Sequence, residues 1–187
     1  MKKFELTSEF VTNIFGKKLF RVKALVEFGS VKAGELGGYI EKEENLSHND
    51  NAWVYGNARV FGNARVFGDA RVFGDAKVYG NAEVSGDARV YGDAWVYGNA
   101  WVYGNAWVSG NARVSGNADY ATIKGFGTEF RATTFFRCKD GVVRVRCGCF
   151  CGDLGQFRSQ VKDTRKGKIA EEYLMIADLM EKHFKEE

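Results

Sequence analysis

The chain has no proline among its 187 residues. Proline removes a backbone donor, so its absence suits a fold in which hydrogen-bond ladders run without interruption. Histidine is scarce, represented only by His48 and His183. That leaves few candidates for a general base near neutral pH. No segment approaches ~20 consecutive apolar residues, so no membrane span is expected. The opening stretch MKKFELTSEF has no long apolar run, so no secretory signal is expected and a cytoplasmic location follows. The net charge of +3 is small, and Arg59, Arg65, Arg71, Lys77, Arg89 and Arg113 are offset by Asp69, Asp75, Glu83, Asp87 and Asp93. Broad binding to a nucleic-acid backbone does not fit this balance.

Cysteine is confined to one region: Cys138, Cys147, Cys149 and Cys151. The spacing lacks the paired C-x2-C knuckles of a zinc site, and no histidine is close in sequence. The reading is small buried hydrophobes rather than a metal site, and no cofactor is expected. Cys147, Cys149 and Cys151 alternate, so on one strand they would share a face.

What the chain has in abundance is a repeat. From Val54 to Ala118 it reads V-[Y/F/S]-G-[N/D]-A-x eleven times without insertion. A fixed period decides the fold before any other signal. Six is not a helical period, and a glycine every six residues would weaken a helix throughout. Alternation fits better. Ala and Val are two apart and share one face of a short strand, while the residue between them and the residue after Val point to the other. Gly-Asn or Gly-Asp makes the bend. If each bend turns the chain by a third, three hexamers close an 18-residue triangular coil. Val54, Val72, Val90 and Val108 then form one inner column. Val60, Val78, Val96 and Val114 form the second, and Val66, Val84 and Val102 the third.

V-x-G-[N/D]-A-x resembles the hexapeptide repeat of left-handed parallel β-helix proteins, and the resemblance implies that hand. More widely, "LFRVKAL", "VKAGELGGYIEKEENLS", the repeat and "GVVRVRCGCFCGDLGQF" resemble an uncharacterised group of phage and prophage proteins, often labelled transferases. The hexapeptide-repeat resemblance implies a homotrimer with parallel axes, and the phage-type resemblance a bacterial host cytoplasm. The expected fold is mostly β: a parallel β-helix with a small α+β appendage. Residues 1–50 read as N-terminal strands and an irregular first coil, 51–119 as the β-helix and 120–187 as the appendage. In the last of these, Lys139-Asp140-Gly141 turns a hairpin. "GDLGQFRSQVKD" and "KIAEEYLMIADLMEKHFKEE" read as helices, the second with Ile169, Tyr173, Ile176, Met180 and Phe184 on one face. That helix is expected to pack over the hairpin and cap the coil.

The outward columns carry the candidate site. Trp95, Trp101 and Trp107 are six apart and fall on three faces of the coil, as a belt. Tyr91, Tyr97, Tyr103, Arg71, Arg89 and Arg113 stand beside or beneath them. Exposed aromatics at this density mark interfaces. Arginine can stack on such rings and meet phosphate or carboxylate. The leading expectation is a non-catalytic binder that holds or sequesters a nucleotide-like small molecule or blocks a host defence protein. The alternatives are an acyl-CoA-dependent acyltransferase, for which His48 is the one candidate base, and a structural trimeric spacer. A family enzyme often bears its catalytic histidine on or beside an inserted loop, and these repeats have none.

Overall fold

The computed structural model describes residues 2–185. Its centre is a parallel β-solenoid of about four turns. Each hexamer contributes a two-residue strand, from Trp53–Val54 (β4) through Arg113–Val114 (β14). The columns follow the 18-residue register. Val54 pairs with Val72, Val72 with Val90 and Val90 with Val108 on one face. Val60, Val78, Val96 and Val114 align on the second, and Val66, Val84 and Val102 on the third. Every one of these valines is fully buried, as are the alanines from Ala52 to Ala112. Burying one valine side chain contributes about 1.5–3 kcal/mol. The faces are named below for their tryptophans.

The ladder has a polarity. The residue before each valine, the residue after it and, at several corners, the Asn or Asp donate their N–H to a carbonyl of the next turn. Arg59, Phe61 and Asn63 donate to Ala76, Val78 and Gly80 in this way, at 2.9, 3.0 and 2.8 Å. The first turn therefore presents unpaired carbonyls and the last presents unpaired N–H groups. Each end is closed by groups of the opposite kind. At the first turn the buried amine of Lys3 donates to the carbonyls of Ala52, Asp50 and Asn49, at 2.9, 3.2 and 3.4 Å. The buried amide of Asn45 donates to Ala64 and Gly62. At the last turn, Asn117 Oδ1 accepts from Trp101 N at 2.8 Å and Thr134 Oγ1 from Trp107 N at 3.0 Å.

An antiparallel N-terminal hairpin, Phe4–Thr12 (β1) with Lys18–Ala24 (β2), joins the Trp95 face. Its link is Leu36–Ile40 (β3), which pairs antiparallel with β2 and parallel with β5 (Arg59–Val60). Both strands fall within residues 1–50, the stretch that reads as N-terminal strands and an irregular first coil. Trp53 departs from the expected outward exposure: it is fully buried, edge-on to Phe4 and Phe28 at 6.2 and 5.3 Å. The entry segment supplies the cover that the repeat pattern alone does not reveal.

After the coil, Tyr120–Ile123 (β15), Thr133–Arg137 (β16), Val143–Cys147 (β17) and Phe150–Asp153 (β18) form an antiparallel sheet. One face places Tyr120, Phe136 and Cys138 in the solenoid core. The other carries Phe135 and Val145 against the helices Leu154–Thr164 (α1) and Gly167–Phe184 (α2). The expectation that the last helix caps the coil is therefore corrected: the sheet caps the coil, and the helices cover the sheet. Tyr173, Ile176, Met180 and Phe184 are buried and Ile169 is partly so, as the spacing predicts. The ends of the "KIAEEYLMIADLMEKHFKEE" stretch, Glu186 and Glu187, lie outside the described residues. Cys147, Cys149 and Cys151 do not share one strand, because the chain turns at Gly148-Cys149 and Cys147 faces Phe150 across a hairpin.

Two outcomes follow. Gly86 and Gly104 both have positive φ, at +63° and +65°. An added Cβ at Gly86 would lie 2.9 Å from Gly104 N, whereas one at Gly104 meets nothing within 4 Å. Gly104→Ala should cost about 1–2 kcal/mol from the left-handed backbone alone, and Gly86→Ala distinctly more; urea unfolding measures both. Lys3 provides the second test. Burial, opposed by the Asp50 charge, pushes its amine down to about 8 from the ordinary 10.5. Between those values the unfolded chain keeps a proton that the folded chain has lost, so stability should rise with pH across this window. The signature is the difference from Lys3→Met in urea midpoints at successive pH values, which cancels the tyrosines. A flat difference would contradict the assignment.

Candidate functional site

The outward residues sort by face. On the Trp95 face, the indole lies between Lys77 Nζ at 4.5 Å and the Arg113 guanidinium at 4.2 Å. Beside it Phe61, Tyr79 and Tyr97 stack nearly parallel, at 5.0 and 5.2 Å. Arg113 is committed to backbone carbonyls of Asp93, Asn111 and Ala112. Ile14 and Phe15 at the hairpin tip overhang this ladder, leaving a cleft of only about 60 Å³. Trp95, Tyr97 and Arg113 are thus built into a packed stack.

The Trp107 face differs. Arg89 stacks on the indole at 4.7 Å, and Arg146, reaching over from β17, lies 5.5 Å from the same ring and 6.0 Å from Tyr91. Tyr91 stacks on Phe73 at 4.7 Å. Arg71 pairs with Arg89 in the ladder one turn below it. The segment between β15 and β16 overhangs this face and encloses a cleft of about 340 Å³, lined among others by Arg89, Trp107, Lys124, Phe130 and Arg131. Among the described residues, Arg89, Arg146 and Lys124 have no carboxylate within 4.0 Å, whereas Arg131 has one exposed contact, to Glu129 at 3.7 Å. One acid, Asp87, lines the cleft, where its carboxylate accepts from Asn105 Nδ2 at 3.3 Å. Cations therefore dominate a concave, partly aromatic surface within the ~300–1,000 Å³ range of small-molecule sites.

Phe130 adds a second signal. Its φ is +48°, a region that bulky side chains rarely occupy and that costs roughly 1–2 kcal/mol. Its ring is 64 % exposed. Phe130 therefore adds an exposed aromatic ring to a cleft lined mostly by cations.

Around the corner at Gly104-Asn105, Trp101 and Tyr103 line a second cleft of about 490 Å³ with Tyr120 and Lys124. Their rings lie 5.2 Å apart and are 48 % and 56 % exposed. Trp101 is held by Nε1–H donation to Ser85 Oγ at 3.3 Å. Tyr120 donates to the Trp101 carbonyl at 2.6 Å, and burial pushes its phenol up to about 12, so it stays protonated.

The expected site residues thus divide into three groups. Trp107, Tyr91, Arg71 and Arg89 share one face, Trp101 and Tyr103 a second, and Trp95, Tyr97 and Arg113 a third. Sequence reasoning missed Lys124, Phe130 and Arg131, which lie beyond the repeat, and left Arg146, with Arg144, Arg158 and Arg165, between a pocket lining and a solvated position. The one hint was the cluster of arginines after Ala118, whose placement the period does not fix.

His48 lies at the opposite end of the coil. Its ring stacks on Phe4 at 4.1 Å. Nδ1 accepts from Lys3 N at 3.2 Å, and Nε2 faces Glu43 at 3.4 Å. With both nitrogens engaged, the ring has no free position aimed at an acceptor hydroxyl. The reading of the cysteines as small buried hydrophobes holds for Cys138, whose burial raises its thiol pKa, and is corrected for Cys149 and Cys151, which are exposed at and just after the hairpin turn.

The chain matches the family model of the YdcK β-solenoid repeat over residues 52–66, 82–98 and 94–110. The match lies within the coil, so it speaks for the repeat and not for the segments on either side. No curated protein is similar enough to the chain to count as a match.

Proposed function

We propose that the protein is a non-catalytic binder of an anionic, ring-bearing small molecule of the nucleotide class, held in the Trp107 cleft. The observation that carries this reading is the pairing of a solvent-facing Phe130 with Arg89, Lys124 and Arg131 around one cavity. Phe130 offers a stacking face, and base stacking on an aromatic ring contributes ~1–3 kcal/mol. Arg89 and Arg131 present guanidinium forks to phosphate oxygens, and Lys124 adds a point charge. Trp107 acts by holding Arg89 and Arg146 in place by cation–π contact, each worth ~0.5–2 kcal/mol. The cleft holds no nucleophile beside a base, so its chemistry is retention. Sequestration of a nucleotide-like messenger, without cleaving it, fits this chemistry and the phage-type resemblance.

The hexapeptide-repeat superfamily, its left hand and a homotrimer belong to the same proposal. Ile14 and Phe15, at 83 % and 63 % exposure, give an apolar surface on a different face from Trp107. Burying such a surface between copies would leave the cleft open.

AMP serves as the probe. Calorimetry should give saturable binding, with AMP recovered intact afterwards. Phe130→Gly should weaken binding about tenfold, as expected for a lost ring worth ~1–3 kcal/mol, without lowering the unfolding temperature, because it also removes the strained φ. No binding by the wild type, or unchanged binding by Phe130→Gly, would overturn the reading. Stabilisation by acetyl-CoA that is lost in His48→Ala would favour acyl transfer instead.

A further inference from the structure

The Trp107 and Trp101 clefts are not separate. They meet at the corner of the last turn, and both are lined by Asn105 and Lys124. Lys124 Nζ donates to Asn105 Oδ1 at 3.1 Å, so the junction is a fixed polar point carrying a cation with no carboxylate partner among the described residues. At one end stands the exposed ring of Phe130, and at the other the exposed rings of Trp101 and Tyr103. The order along the surface is ring, cation, ring.

We infer that the combined groove binds a dinucleoside phosphate, one base against Phe130, the other against Trp101 and Tyr103, and the linking phosphodiester at Lys124. This rests on the proposed reading of the Trp107 cleft and extends it. A mononucleotide would leave the second aromatic pair bare. That pair is built rather than incidental, since Ser85 and Tyr120 fix Trp101 from the side chain and the backbone respectively. Phe130 lines the first cleft with Lys124, and Trp101 and Tyr103 line the second with the same Lys124, so each set of rings stands one cleft away from the cation that would meet a single linking phosphate. A second stacked base should strengthen binding by ~1–3 kcal/mol, or roughly 5- to 150-fold.

The test compares AMP, the linear dinucleotide pApA and a ten-residue oligoadenylate by calorimetry on the full chain. The expected result is pApA at least about tenfold tighter than AMP, and the oligomer no tighter per site than pApA. In Tyr103→Ala, and in Trp101→Ala once its unfolding temperature shows it folded, the ratio of pApA to AMP affinity should fall to within about threefold of one. AMP bound with no preference for pApA would overturn the two-base groove while leaving the first cleft intact. A ratio unmoved by both variants would do the same. A markedly tighter oligomer would replace the inference with single-strand binding. Absence of binding by all three would remove the underlying reading itself.

Discussion

The constraint on which this structure depends is the 18-residue ladder register. Each hexamer spends two residues inside, two outside and two on a corner, and three hexamers close a turn. The N–H groups of one turn meet carbonyls of the next, and glycine at positive φ turns the corner. Nothing in this geometry depends on what stands outside. The outer columns are therefore free to vary, and a residue placed 18 positions from another must lie over it. Arg89 lies over the ring of Trp107, and Lys77 and Arg113 bracket Trp95, because the ladder allows no other arrangement.

The same ladder leaves two unequal ends, and their treatment distributes the functions of the molecule. The carbonyl end takes the Lys3 amine and the Asn45 amide, with Phe4, Phe28 and Trp53 packed around them. His48 belongs to this closure, which explains why a histidine beside the repeat stands with both ring nitrogens engaged. The N–H end is closed by Asn117 and Thr134 and by a sheet that contributes Tyr120, Phe136 and Cys138 to the core. Closing this end also brings Arg146 and the segment bearing Lys124, Phe130 and Arg131 over the final turn. The candidate site arises where a periodic surface meets an aperiodic cap.

That division also explains how much could be read from the sequence. The columns, the belt of tryptophans on three faces, the hairpins and the last helix were all legible, because each follows from a local period or turn. The burial of Trp53 was not, since its cover comes from residues some 25 and 49 positions earlier. The cysteines were misplaced because alternation alone does not reveal the Gly148-Cys149 turn. Of the site, Arg89, Trp107, Trp101 and Tyr103 were visible as repeat positions. Phe130, Lys124 and Arg131 were not, because their place depends on how the cap docks. Trp107 itself takes a different part from the one its sequence suggests: guanidinium groups occupy the neighbourhood of its ring, and the exposed stacking face belongs to Phe130.

The central claim is that register plus cap builds the site, and inserting single hexapeptides tests it directly. One extra Trp-Val-Tyr-Gly-Asn-Ala unit after Ala100 rotates Trp107 and the cap by one face, placing Trp95 rather than Arg89 beneath Trp107. The same unit after Ala64 rotates only the lower coil and leaves the cleft whole. The account predicts that both variants unfold cooperatively, that the lower insertion binds AMP like the wild type, and that the upper one does not. Binding retained after the upper insertion, or lost after the lower one in a folded protein, would contradict it.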